Sequence, residues 1–162
     1  GISADLSPGR LVIPDQIVDY TWGREHTLHD GEDHSDELPL DHIDMSWPYE
    51  QSLREGLIQS ARSMQLDVVE TATYAATQGP RLETEAEIKK LAADGCDVVG
   101  MTGMPEAGLA REMGLAYASL CIVVNAAAGL SDEPITMKMI ETNLAKGIDD
   151  VRALLVNFLQ AQ

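Results

Sequence analysis

Two side chains of complementary type, Glu83 and Asn125, stand just beyond apolar stretches of the chain. Glu83 ends Thr77-Gln78-Gly79-Pro80-Arg81-Leu82-Glu83, and Asn125 follows the run Ala116 to Val124. In an open α/β sheet, ligands bind where buried strands end. A carboxylate only accepts hydrogen bonds, whereas a side-chain amide donates through its NH2 and accepts through its oxygen. Set on one cavity, the pair matches a ring edge that shows an N–H donor beside a carbonyl acceptor, as a 6-oxopurine does. The carboxylate takes N1–H, and the amide gives to O6 and takes from N7–H. Adenine, whose N1 is an acceptor, fits poorly, and each mismatched buried group costs roughly 1–3 kcal/mol. A donor at O6 or N7 would also stabilise the negative charge that develops on a departing base. Taken singly, Glu83 fits equally well as a first-turn helix carboxylate, and Asn125 as a turn residue after a strand.

Gly100-Met101-Thr102-Gly103 offers a second constellation. Met101 could cover the apolar face of a sugar, and Thr102 could bring a hydroxyl to the sugar or to a phosphate. Their plainer reading is a core methionine and a turn hydroxyl. Arg81 could hold an anion, but a structural ion pair is preferred. His26, His29, Asp30, Asp33 and His34 form a polar cluster whose spacing matches no standard zinc pattern, so no metal is expected. There is no GxGxxG, no P-loop and no CxxC pair.

These groups need a scaffold. Leu11 to Tyr20, interrupted by Pro14, reads as an extended segment or a broken strand. Gly23 to Leu40 reads as a long polar loop. A helix is expected from Pro48, with Glu50 in its first turn, to about Leu66. Val68–Thr77 is expected to be a core strand, Glu83–Ala93 a helix closed by Gly95, and Asp97–Met101 a short buried strand. Pro105–Met113 follows as a helix, Ala116–Val124 as a strand buried on both faces, and Thr136–Gln160 as a long amphipathic helix with Thr136 at its N-cap. This alternation predicts an α/β fold with a mostly parallel sheet.

The chain has 162 residues and a formal net charge of −16. That charge argues against a nucleic-acid or anionic-membrane partner. A small anion remains compatible, because backbone amides and one or two Arg can cradle it locally. Cys96 and Cys121 lie in apolar surroundings and are expected to be buried free thiols, which suits a reducing cytoplasm. No signal peptide or membrane-spanning run is visible. Gly1 to Gly9 is turn-like and lacks an initiator Met, so the chain reads as part of a longer protein.

Four ordered segments carry a resemblance: Pro8-Gly9 with Val12 to Asp19, Gly79 to Glu87, Asp97 to Glu106, and Tyr117-Ala118-Ser119. Together they resemble the trimeric purine nucleoside phosphorylase and methylthioadenosine phosphorylase family, closest to its bacterial methylthioinosine-cleaving members. The resemblance implies a three-layer α/β fold with a mostly parallel or mixed central sheet, of which residues 1–162 form the C-terminal part of a single domain and the N-terminal strands are missing. It implies a pentosyltransferase that uses inorganic phosphate as co-substrate and no cofactor. By the resemblance Leu82 packs on the base, Glu83 and Asn125 read it, Met101 contacts the sugar, and Thr102 lies beside sugar and phosphate. His42 reaches a neighbouring subunit's site in a homotrimer. Met137, with Ile140 on the same helix face, stands where nucleoside-specific relatives carry a His for the 5′-hydroxyl. An apolar wall there suits a 5′-methylthio group. The implied reaction converts 5′-methylthioinosine and phosphate to hypoxanthine and 5-methylthioribose 1-phosphate. Inosine/guanosine phosphorylase and methylthioadenosine phosphorylase are the alternatives, and a purine-binding fragment is the non-enzymatic one. The family's Gly-rich loop and Arg-His pair for phosphate have no match in the chain, so residues 1–162 alone are expected to be inactive.

Overall fold

The computed structural model describes residues 1–29 and 42–161. In chain order the elements are β1 (Leu11–Val12), β2 (Gln16–Asp19), α1 (Gln51–Ser63), β3 (Val68–Val69), β4 (Thr73–Ala76), α2 (Glu85–Ala93), β5 (Val98–Gly100), α3 (Glu106–Glu112), β6 (Cys121–Ile122) and α4 (Met137–Gln160).

Leu11 to Tyr20 is a broken strand, with Pro14 in the gap between β1 and β2. Proline supplies no N–H to a ladder. The expected single strand Val68–Thr77 is also broken, at residues 70–72. Arg54 accounts for both interruptions. It is only 6% exposed, and its Nε donates to the Pro14 carbonyl at 2.9 Å while Nη2 donates to the Glu70 carbonyl at 2.6 Å. Asp15 completes the junction by accepting from the Ala72 N–H at 2.8 Å. The backbone groups lost from the ladders are thus satisfied by side chains.

Two three-stranded sheets result, in the orders β3-β1-β6 and β2-β4-β5. The second is wholly parallel, while β1 pairs parallel with β3 and antiparallel with β6. Side chains alternate across β4 as a strand requires. Tyr74 and Ala76 join Val12, Val98 and Val123 in one cluster, and Ala75 joins Ile88 and Leu91 of α2 in another. Leu11 and Ile13 pack instead on Leu57 and Ala61 of α1 and Leu154 and Phe158 of α4. The fold is three-layer α/β, with helices against both sheets. Each fully buried aliphatic side chain contributes roughly 1.5–3 kcal/mol.

Three expected boundaries move. Only Cys121–Ile122 of the apolar run Ala116–Val124 is a strand, and it is half-buried. Tyr117 is taken out of the sheet because its ring stacks on Tyr49 at 6.1 Å and its carbonyl accepts from the Glu50 N–H at 2.7 Å. Pro48 lies ahead of α1, whose N-cap is Glu50. Glu83 is not in the first turn of α2 either. Thr84 is the N-cap and forms a capping box with Glu87, so Glu83 is left immediately outside the helix. The long helix keeps its expected start, with the Thr136 hydroxyl accepting from the Met139 N–H at 3.2 Å.

Candidate active site

The exits of β4, β5 and β6 surround a cavity of about 380 Å³. Leu82, Glu83, Met101, Thr102 and Asn125 all line it, so five side chains from three separate segments converge on one space. Among the described residues that line it, Glu83 is the only side-chain carboxylate, and none is an Arg, Lys or His.

Glu83 is held from behind. Its Oε1 accepts from the Thr77 hydroxyl at 2.8 Å, while the Thr77 N–H donates to the Gly100 carbonyl at 2.8 Å. One carboxylate oxygen is therefore anchored to the end of β4, and the second can accept from a ligand. Asn125 is held on the opposite side. The Val124 carbonyl accepts from Nδ2 of Asn143 at 2.8 Å, and the Asn125 carbonyl accepts from the Gly1 nitrogen at 2.7 Å. Asn143 comes from α4 and is 9% exposed. The Asn125 amide itself gives one N–H to the Ala126 carbonyl at 2.8 Å, which leaves its other N–H and its Oδ1 for a ligand.

Thr102 is positioned by Tyr74. The two hydroxyls lie 3.2 Å apart, and the Thr102 N–H donates to the same phenol at 3.4 Å. Burial raises the Tyr74 pKa, so the phenol stays neutral and can donate or accept. Room for that hydroxyl comes from Gly100, where a Cβ would fall 2.0 Å from it. Met101 is seated by another glycine: a Cβ on Gly79 would fall 2.3 Å from its sulfur, and Gly79 also has φ +64. Burial pushes the Cys121 thiol up to about 11, so at neutral pH it is a protonated wall group.

The remaining sequence candidates lie elsewhere. Met137, in the first turn of α4, is 67% exposed and does not line the cavity; neither does Ile140, which is half-buried. Ile135, just ahead of the helix cap, lines it instead. His42 is exposed and outside the lining. Arg81 makes the expected structural pair, with both guanidinium nitrogens donating to Glu87 at 2.7 and 2.8 Å. Of the polar cluster, Asp30, Asp33 and His34 lie outside the described residues. His26 faces Asp19 at 3.5 Å, and no group of three or more metal-ligating side chains occurs among the described residues. Cys96 is a buried free thiol, whereas Cys121 is free but half-buried.

Tyr74, Ile135 and Asn143 are not marked by the sequence motifs, and Thr77 is marked only as the start of the segment that ends in Glu83. A hydroxyl-bearing ring in an apolar strand two registers from a Gly-x-Thr turn was the available signal for Tyr74. Asn143, a polar residue within an amphipathic helix, carried none.

Residues 1–160 match the family model described as the phosphorylase superfamily. A probable S-methyl-5′-thioinosine phosphorylase of Pseudomonas syringae pv. tomato is 48% identical over 99% of this chain and 64% of its own length. A probable 6-oxopurine nucleoside phosphorylase of Thermococcus kodakarensis is 40% identical over 98% of this chain and 60% of its own. The solved structure of the methylthioadenosine phosphorylase of Schistosoma mansoni with adenine superposes at a TM-score of 0.90, with 32% identity, covering 99% of this chain and 62% of that one. The chain thus spans about three-fifths of the length of these relatives. With the family's fold, the match along nearly all its residues and the convergence of the strand-exit side chains on one cavity, this chain belongs to the phosphorylase superfamily.

Proposed function

We propose that this chain supplies the base- and sugar-binding half of an enzyme that cleaves the N-glycosidic bond of a 6-oxopurine nucleoside with inorganic phosphate. The observation that carries the reading is the placement of Glu83 and Asn125 on one cavity, each with hydrogen-bonding capacity left for a ligand. The free carboxylate oxygen accepts N1–H. The free amide N–H donates to O6, and Oδ1 accepts N7–H once N7 has taken up a proton. As C1′–N9 breaks, the bonding pair passes to the purine, and the amide stabilises the charge where it develops. An oxygen of hydrogen phosphate forms the new bond to C1′, and the proton that the phosphate gives up passes through water to N7, so the base leaves neutral. Thr102, its hydroxyl set by Tyr74, binds sugar or phosphate, and Met101 covers the sugar's apolar face.

The favoured substrate is 5′-methylthioinosine, which yields hypoxanthine and 5-methylthioribose 1-phosphate. Relatives with that name support it. A second reading, a general inosine/guanosine phosphorylase, is favoured by one observation: Met137 stands outside the cavity. Under either reading the working unit is a cytoplasmic homotrimer in which His42 reaches the neighbouring site, and phosphate is the co-substrate.

The test is phosphate-dependent release of free base by the full-length protein that carries this chain, from 5′-methylthioinosine, inosine and 5′-methylthioadenosine. Turnover of the first alone is expected. Equal turnover of inosine selects the second reading, and preference for 5′-methylthioadenosine refutes both. Residues 1–162 alone are expected to release no base.

A further inference from the structure

Two turns flank the cavity-lining residues: residues 77–79, which lead to Leu82 and Glu83, and residues 101–104, of which Met101 and Thr102 line the cavity; beyond the bond from the Thr77 N–H to the Gly100 carbonyl no strand ladder joins them. They are joined by Arg24, a half-buried residue that does not line the cavity. Its Nη2 donates to the carbonyls of Thr77 and Gln78, both at 3.2 Å, and to that of Met101 at 3.0 Å. Its Nη1 donates to the Met104 carbonyl, and its Nε donates to Oε1 of Gln78 at 3.2 Å. No carboxylate among the described residues pairs with it. The charge is satisfied by backbone carbonyls from both turns, a task suited to a planar fork of five N–H donors and not to a single ammonium.

The consequence for the cavity follows from peptide geometry. Across a planar trans peptide, C=O and N–H point in opposite directions. Drawing the carbonyls of Thr77, Gln78 and Met101 toward Arg24 turns the N–H groups of Gln78, Gly79 and Thr102 away from it. For Thr102 the result is visible, because its N–H meets the Tyr74 hydroxyl within the cavity wall. The same turns lead into Glu83 on one side and carry Met101 and Thr102 on the other.

We propose that Arg24 is a positioning residue. It sets the spacing of the two turns and aims their backbone donors, and through them it fixes Glu83, Met101 and Thr102 for the nucleoside. The proposal rests on the phosphorolysis reading for its kinetic consequence, while its structural half stands alone.

Arg24→Lys and Arg24→Ala in the full-length protein test it. Lysine keeps the charge but not the fork. For Arg24→Lys we expect KM for the nucleoside to rise about tenfold and kcat/KM to fall about a hundredfold, the scale of a misplacement of about 1 Å. The thermal midpoint should stay near wild type. Amide hydrogen exchange should quicken in peptides covering 77–79 and 101–104 and not in those covering α4. A merely structural role predicts unchanged KM and kcat per folded molecule, and that result overturns the proposal. If Arg24→Ala does not fold, Arg24→Lys alone decides. If the wild-type protein cleaves no nucleoside, the phosphorolysis reading fails separately and exchange in the two turns decides: faster exchange in Arg24→Lys supports the latch, and unchanged exchange overturns it.

Discussion

Replacing Glu83 by Gln tests the base-reading argument at its most specific point. Thr77 has one hydroxyl hydrogen, and its oxygen lies 2.8 Å from Glu83 Oε1 and 3.2 Å from the Gly100 carbonyl. In the wild type the hydrogen goes to the carboxylate, and the second carboxylate oxygen is an acceptor toward the cavity. A Gln amide has two choices. It can keep its oxygen toward the ligand, and then Thr77 must turn its hydrogen to Gly100 and accept from the amide NH2. Or it can keep its oxygen on Thr77 and present NH2 to the ligand. The first arrangement swaps a charged acceptor for a neutral one, which costs about 1–1.5 kcal/mol of oxopurine binding. The expected loss of hypoxanthine affinity is therefore about 5- to 12-fold. The second arrangement meets N1–H donor to donor but suits the N1 acceptor of adenine, so adenine affinity should rise in the same variant. Titration calorimetry of both bases against the full-length protein measures each arm. Unchanged hypoxanthine affinity together with unchanged adenine affinity would show that Glu83 does not face N1, and the base-reading argument would be refuted.

Other perturbations have equally definite outcomes. Asn125→Asp should lower kcat/KM for 6-oxopurine nucleosides and shift preference toward 6-aminopurine nucleosides, as read by competing the two substrates; an unshifted ratio counts against the role given to the amide. Gly100→Ala places a Cβ 2.0 Å from the Tyr74 hydroxyl, and thermal unfolding should report a loss of about 1–3 kcal/mol that the added substitution Tyr74→Phe partly restores. Cys121 is raised from an ordinary 9.0 to about 11, so at pH 8 its alkylation should run about a hundredfold slower than that of a free thiol. Its rate should rise with pH toward 11, and hypoxanthine should slow it further, because the thiol lines the same cavity. Leu154→Ala empties a fully buried site between β1 and the helices α1 and α4 and should cost about 2–5 kcal/mol by denaturant titration.

The helices were readable from the sequence because their signals are local. Thr136 ahead of an apolar stripe is a cap whose partner lies three residues away; Thr84 with Glu87 carries the same kind of local signal, yet the expected helix began one residue before it, at Glu83. The strands were readable as apolar stretches but not as elements. What ends β3, and what keeps Tyr117 out of β6, are contacts with Arg54 and Tyr49 that local periodicity does not contain. The convergence of Glu83, Met101, Thr102 and Asn125 is expected from the exits of a single sheet, but β4 and β5 belong to one sheet and β6 to the other, and the cavity forms where the exits of the two meet. Their supports carry no such expectation. Tyr74, Asn143 and Arg24 act across separations of 28, 19 and up to 80 residues, and nothing in a local pattern marks which polar side chain will meet which carbonyl.

The position of Asn125 gives its side-chain amide a structural task beside the proposed recognition role. Its Nδ2 gives a hydrogen to the Ala126 carbonyl at 2.8 Å, which closes the turn that follows β6. A carboxylate in the same place would set oxygen against oxygen, and it would have to rotate away or hold a proton. The residue proposed to read the purine edge is thus also bonded to the backbone beneath it. Asn125→Asp therefore changes two things together, the donor offered to O6 and the order of the turn. Serine tells them apart: its short hydroxyl can bond to nearby backbone but does not extend to O6. An Asn125→Ser protein that recovers native exchange rates at 125–128 while losing hypoxanthine binding would assign the binding loss to the donor. If it recovers binding as well, the amide's contribution is to the turn alone, and base recognition at this wall must come from backbone.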